Sequence, residues 1–425
     1  MRTKPTVTFN WNIVGFSFIT LALAYGIWYS FSVFFVALLK EFHWSRSIGA
    51  GAFSLFIIIH GVIGPFVGGM LDRFGPKGVI LGGSIFLGIG LALCSLVHTW
   101  WQFYIFFGVV TAIGVGSTGW IPNTSLIQQQ FKEKRGLAMG IISSGIGVGI
   151  LVCVPFFQLL ITKVGWRTAY LIIAVFIPLI IMSMTIAFLK NPPTATPSSY
   201  IEKGISPTVA RDPLVINKEW VSKPWTLRRA VMTKTFWFLS LSLILGNYVS
   251  QSIFAHQVAF FVDRDLPPLI ASYIVGIIGI VSVGGKILWG ALSDKIGREV
   301  TYTLGVICLI IGMIFLILFN RLPISSFPYF FAFFFSMGYA SAAALPPLIT
   351  ADFFEGGAYG RIYGTLNMIN NAGGAFGVWF AGFLFDQLGN YLPVFILSIA
   401  CSLFSCLNIW WVAPRKIRMV SEKKG

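Results

Sequence analysis

Of all the Lys, Arg, Asp and Glu in the chain, Lys286 alone falls deep inside an apolar segment. Counting back eight residues from Asp294, at ~1.5 Å of helix rise each, puts it about 12 Å from the nearest loop. That is close to the middle of a hydrocarbon layer roughly 30 Å thick. A cation at that depth costs roughly 2.5–3.5 kcal/mol to insert, so it is normally retained for a purpose. With no acid at the same depth, an ammonium can bind an anion, and the natural one is a carboxylate in a water-filled cavity. The plainer reading pairs Lys286 with helix-end carbonyls or lets its stem reach toward the nearer surface. Neutral groups that could complete a pocket are Tyr25, Tyr29, Trp120, Asn247, Gln251, Ser282, Tyr339, Asn367, Asn370 and Asn371. Each is equally well explained as an interhelical hydrogen bonder. Asn370 and Asn371 are adjacent and cannot face the same way on one helix. One cation among aromatics suits a small monoanion with a short apolar body. A dianion would ask for a second cation.

Two histidines could exchange protons near neutrality, His256 and, less favourably, His60; a lone histidine in a helix is more often a packing residue. Five cysteines, Cys94, Cys153, Cys308, Cys401 and Cys406, fall in apolar segments and read as packing residues rather than disulfides or metal ligands. No phosphate loop, metal cluster or nucleophile–base pair is present, so the chain does not read as an enzyme, and it implies no cofactor.

These side chains must be positioned by membrane helices. Charged residues are 10% and apolar ones 56% of the chain, with mean hydropathy +0.82; a soluble domain of this size could not cover its surface with so few charges. Twelve spans are expected, about 11–38, 48–71, 78–98, 101–130, 137–161, 166–189, 234–261, 269–293, 300–319, 327–350, 361–385 and 391–413. The first is too long for a signal peptide and lacks its small-residue cleavage site, so it is expected to stay. A net charge of +16 could suggest nucleic acid, but its distribution argues against that. Of 30 Lys and Arg, only Lys40, Arg46, Lys163, Arg167, Arg264 and Arg321 fall on one side, Lys286 lies within a span, and the remaining 23 share the other side. This asymmetry puts both termini and the central loop in the cytoplasm, with a bacterial inner membrane or a plasma membrane as the site.

A charged turn is written twice, 222 positions apart. Asp72-Arg73-Phe-Gly75 returns as Asp294-Lys295-Ile-Gly297, each after a long apolar segment. A second pair supports the duplication: Pro122 precedes Arg135 and Gly140, and Pro346 precedes Arg361 and Gly364. The chain is therefore expected to be all-α: two pseudo-symmetric six-helix halves, 1–189 and 234–414, a linker 190–233 and a tail 415–425. Such a repeat suits two halves that rock about a central site. The linker holds six prolines. Its segment Lys218–Arg229, with Trp220 and Trp225, reads either as a basic element on lipid headgroups or as an ordinary solubilising linker. Glycines at 145, 149, 373 and 377 allow close helix approach, for sliding between halves or for static packing.

The Asp-Arg-x-Gly-x-Lys turn, its second copy and the twelve-span plan resemble the major facilitator superfamily over nearly the whole chain. A narrower resemblance is to its monocarboxylate porter and oxalate–formate exchanger branch. It rests on the run Tyr25–Phe35, on Glu41-Phe-His-Trp44-Ser45-Arg46, on Gly165-Trp166-Arg167, and on a basic residue four positions before Gly290. Relatives usually carry Arg there to hold the substrate carboxylate. Lys286 keeps the charge and loses the bidentate fork. The resemblance implies proton-coupled symport of lactate- or pyruvate-like acids by a monomer. It favours Trp120 as an aromatic contact, and Asp72, Arg73, Arg135, Asp294, Lys295 and Arg361 as a gating latch on the cytoplasmic side. Eukaryotic relatives add an acid where this chain has Ser282, leaving Lys286 itself, assisted by His256, to carry the proton. Rival readings are a carboxylate exchanger without protons, a multidrug exporter and a transport-dead sensor. Exporters usually bury an acid rather than a base, and sensors often carry long terminal domains.

Overall fold

Long apolar runs can hide their backbone polar groups from lipid only by coiling into helices or closing into a barrel. This chain coils. The computed structural model describes residues 11–131, 135–189, 216–221, 223–354, 356 and 358–417, and the regular structure among them is helical throughout. The first half contains α1 (Trp11–Phe42), α2 (Arg46–Cys94), a crossing built in pieces, and α6 (Arg135–Phe188). The pieces are α3 (Trp100–Phe103), a π-helical stretch (Tyr104–Thr111), α4 (Ala112–Thr118) and α5 (Trp120–Gln130). Two short helices, α7 (Lys218–Val221) and α8 (Leu227–Val231), lead into the second half. That half contains α9 (Lys234–Val262), α10 (Pro268–Ile296), α11 (Arg298–Arg321), α12 (Phe327–Phe354), α13 (Tyr359–Leu388) and α14 (Leu392–Val412).

Nine helical stretches among the described residues are long and apolar enough to cross a membrane. The expected twelve spans are thus carried by fewer and longer rods. α2 has 49 residues and α6 has 54, each more than twice the ~20 needed for one crossing. Each is interrupted by a glycine in the left-handed region, Gly75 (φ 69°) in α2 and Gly165 (φ 78°) in α6. Gly297, the repeat partner of Gly75, has φ 94° and separates α10 from α11. Only glycine takes this conformation without strain, so the duplicated turn keeps a glycine in both copies. α13 is not among the nine; Asn367, Asn370, Asn371 and its glycines dilute its apolar character.

Packing repeats along with sequence. α1 lies against α6, and α9 against α13. A Cβ at Gly145 or Gly149 would run into the backbone of Phe18 or Ala22, and one at Gly373 or Gly377 into that of Ile244 or Tyr248. These glycines therefore serve packing within each half. Contact between halves is made chiefly by α2 with α13 and α6 with α10, where Gly147 meets Gly279 and Gly61 meets Asn371, and also by α1 with α9. Phe66, Val175, Ile186 and Phe404 point outward, as lipid-facing side chains must.

Neither reading of Lys218–Arg229 describes what its two tryptophans do. Trp220 donates from its indole to Phe353 O at 2.9 Å, and Trp225 packs edge-on against Phe354 at 5.0 Å. Both indoles are anchored on the end of α12, and Ile216 N bonds to Ile417 O at 2.8 Å. The earlier part of the expected linker, 190–215, and the tail beyond 417 lie outside the described residues.

Gly149→Ala should lower the melting temperature of the detergent-solubilised protein, because overpacking of this kind costs about 1–3 kcal/mol. Gly140→Ala, whose Cβ would meet nothing within 4 Å, should leave it unchanged or slightly raised. Equal melting curves for the two variants would show that the α1–α6 contact is looser than described.

Candidate binding site between the two halves

The site begins with a helix break. Pro122 has no N–H to offer the carbonyl four residues back, and the helix parts at Gly119 (φ −83°, ψ −136°). Asn123 repairs the gap, donating from Nδ2 to Thr118 O at 2.8 Å and Gly119 O at 2.7 Å. Trp120 thereby starts α5 beside the broken turn. A Cβ on Gly119 would lie 3.7 Å from the Tyr25 ring.

From α1, Tyr25 neighbours Trp28 and Tyr29 one turn on, at three- and four-residue spacing. Tyr25 stacks on Trp28 at 5.8 Å, and Trp28 meets His60 of α2 edge-on at 4.7 Å. Tyr29 crosses to the second half: its hydroxyl lies 2.7 Å from that of Tyr339 on α12. Phe254 of α9 packs on both tyrosines, at 4.6 and 5.1 Å. Lys286 of α10 sits over the Tyr339 ring, with Nζ 5.6 Å from the centroid. Among the described residues Lys286 has no ion pair. Its ammonium, the Tyr339 face and the Tyr29–Tyr339 hydroxyl pair form one cluster shared by both halves. A cation over an aromatic face gains about 0.5–2 kcal/mol, more when desolvated.

Other candidates are placed differently. Ser282 is buried and donates to Gly279 O of its own helix at 2.7 Å. Asn247 donates to Asn370 O at 2.8 Å, tying α9 to α13, while Asn371 faces Gly61 across the halves. Trp28 Nε1, His60 Nδ1 and Gln251 Oε1 are among the polar atoms buried without a partner. Asn367 lies on α13.

His256 does not join Lys286. Its Nδ1 is 2.9 Å from the Tyr391 hydroxyl and its Nε2 2.9 Å from Val378 O, toward the end of the molecule opposite the linker. There it meets a cluster that sequence reasoning missed. Arg46 of the first half binds Asp263 of the second at 2.6 and 2.8 Å and Tyr391 at 2.6 Å. Glu41, Trp166 and Arg167 form a neighbouring cluster, with Arg167 also bonded to Val97 O at 3.2 Å. The residues that carry the narrower resemblance thus assemble at this end as well as along α1. The available signal was Arg46 itself, one of six basic residues on the sparsely charged side.

At the linker end the duplicated turns differ. Asp72 and Arg73 are exposed, and Arg73 lies over the Phe74 ring at 5.2 Å. Asp294 pairs with Arg298 at 2.8 Å, and Arg298 with Asp352, whose side chain is 4% exposed, at 3.0 Å. Lys295 and Arg361 are exposed, and the Arg135 side chain lies outside the described residues. The hydrogen bonds joining the halves cluster from mid-helix to the Arg46 end: Tyr29–Tyr339, Ser54 to Ala375 O at 2.7 Å, and the Arg46 group.

A two-half bundle of membrane helices with a polar cluster shared at its centre defines a transporter-type membrane protein. The family model of the Major Facilitator Superfamily matches residues 17–346, and the chain belongs to that superfamily; it is a multi-pass integral membrane transporter. It is 25% identical over 433 residues to monocarboxylate transporter 13 of Rattus norvegicus, covering 98% of this chain and 95% of that one. It is 23% identical to the uncharacterised MFS-type transporter YcxA of Bacillus subtilis (strain 168), covering 94% and 93%. Among solved structures, a bacterial homologue of the human lysosomal transporter Spinster, inward-facing and unoccupied, superposes with TM-score 0.69 at 15% identity, covering 98% of both chains.

Asn123→Ala would leave the Thr118 and Gly119 carbonyls without their donor, a loss of about 1–3 kcal/mol for a buried group. Thermal unfolding should therefore start several degrees lower. Gln129→Ala, which removes only an exposed bond to Ser125, serves as the control and should not shift it.

Proposed function

We propose that the chain moves small monocarboxylates of the lactate and pyruvate type by alternating access, as a proton-coupled symporter with Lys286 as the anion site. The observation that carries this is the Lys286 ammonium over Tyr339, whose hydroxyl meets Tyr29 of the opposite half at 2.7 Å. A carboxylate bound to the ammonium can also accept from the Tyr29 hydroxyl while Tyr339 donates to Tyr29. It then touches both halves at once. A ligand shifts a conformational equilibrium only through contacts that differ between states, and a shared anion does this by favouring the state in which the halves close around it. Trp120, Tyr25, Asn370 and Asn371 would shape the pocket around the acid's short apolar body. Relatives named as monocarboxylate transporters support the substrate class. In this reading both termini and the linker face the cytoplasm, and the transporter works as a monomer.

Proton coupling would centre on Lys286, whose ammonium would lose its water when the empty cavity closes around it. Exchange of one carboxylate for another without protons is the second reading. It is favoured by Ser282, whose hydroxyl is engaged by its own backbone where a proton-carrying acid could stand. Asp72, Arg73, Arg135, Asp294, Lys295 and Arg361 would latch the cytoplasmic end when the cavity opens outward.

The test is uptake of radiolabelled L-lactate by purified protein in liposomes under an imposed pH gradient. Uptake should follow the gradient, vanish in Lys286→Gln and survive in part in Lys286→Arg. Gradient-driven uptake that is intact in Lys286→Gln rules out this anion site. Counterflow that persists without a gradient, with no net uptake, selects the exchanger. In the same vesicles Asp72→Asn should raise the fraction open to cytoplasmic probes, and unchanged accessibility counts against the latch.

A further inference from the structure

The Arg46 end holds the halves together with a second polar network, separate from the Lys286 cluster, with its two carboxylates at the surface and its guanidinium and phenol beneath them. Arg46 opens α2, and its guanidinium crosses to the other half. It forks onto Asp263 at the end of α9, donates to Tyr391 just before α14, and stacks 3.8 Å over the Phe385 ring of α13. Its side chain is only 13% exposed. Asp386 of α13 accepts from the backbone N–H of Arg46 and of Ser47, both at 2.8 Å. The first turn of α2 is thus capped by an acid from the opposite half, which satisfies donors that a helix start leaves open.

Behind this contact lies His256, 3% exposed. Val378 O can only accept, so the Nε2 facing it must carry hydrogen. In a neutral imidazole Nδ1 is then an acceptor, and the Tyr391 hydroxyl donates to it. That leaves the Tyr391 oxygen to accept from Arg46. The bonds run in one direction, Arg46 to Tyr391 to His256 to Val378. A proton added at Nδ1 reverses the middle link. Arg46 and His256 would both aim N–H groups at one phenol oxygen, the phenol proton would lose its acceptor, and two cations would flank the same ring. The charged and titratable groups facing His256 are Arg46 from α2, Asp386 from α13, Tyr391 at the start of α14 and, through Arg46, Asp263 of its own helix. From α1 comes only the Phe35 ring, edge-on at 5.4 Å.

We propose that His256 is a positioning residue that makes this lock proton-responsive: protonation of its imidazole releases Arg46 and parts the halves at the end opposite the linker. This deepens the proton-coupled reading above by giving the proton a place of action apart from the anion site. It rests on alternating access and not on the choice of substrate.

The experiment uses the full chain in lipid nanodiscs, with no substrate, so failure of the carboxylate assignment leaves it interpretable. Native cysteines are replaced, and spin labels are placed at the exposed Leu96→Cys and Leu388→Cys of that end. Inter-spin distances are read by pulsed electron paramagnetic resonance from about pH 8 down to about pH 3.5, well past the range in which a solvated imidazole gains its charge. A long-distance population should grow as the pH falls. His256→Gln keeps a neutral donor and acceptor in place, and it should abolish that growth while retaining the short distance. Tyr391→Phe cuts the link but leaves the Asp263–Arg46 pair, and it should flatten the response too. Arg46→Ala should show the long population at every pH. A distance that ignores pH in the unsubstituted background overturns the proposal. So does a response that survives in either His256→Gln or Tyr391→Phe, since the carboxylates would then be its source.

Discussion

Within lipid no backbone donor or acceptor can be left to water, and this governs the rest of the molecule. It makes every apolar run a helix and confines left-handed glycines to places where a rod must end or bend, at Gly75, Gly165 and Gly297. Where the helix does break at depth, beside Pro122, a side chain must supply what the backbone lost. Asn123 does so, and the price is an unpartnered oxygen of its own. The break lets Trp120 begin a new helix next to Tyr25, so the irregularity lies where the halves' polar groups gather.

The same constraint explains how the two cations that matter most are held. Arg46 has a full complement: two carboxylate bonds, a phenol and a ring face, with Asp386 capping the helix it starts. It is a closed arrangement that joins the halves without help. Lys286 has the Tyr339 ring face and, among the described residues, no ion pair. The first joins the halves at one end and the second lies between them at mid-helix.

Much of the fold was legible because hydropathy and repetition are local signals. The repeat predicted that Gly75 and Gly297 would behave alike, and they do. The glycine stripes were readable as close contacts but not as to which contacts: Gly145 and Gly149 pack within a half, whereas Gly147, on the same helix, meets Gly279 across the halves. Two of the expected loops are bends inside continuous rods, because a single glycine suffices to redirect a helix. Trp220 and Trp225 looked amphipathic in sequence, yet both indoles are taken up by the end of α12.

By itself the sequence determined that the chain spans a membrane, that it does so in duplicate, and that one lysine falls within an apolar segment without an acid beside it. Each follows from composition or spacing within a few tens of residues. Only the tertiary structure decided which polar groups meet. Tyr29 and Tyr339 are 310 positions apart, and Arg46 and Tyr391 are 345 apart. No periodicity links such pairs; they are joined by how two bundles lean together. That geometry sends His256 to the Arg46 network and leaves Lys286 with the tyrosines, a division that two helical positions on one strip of sequence could not express.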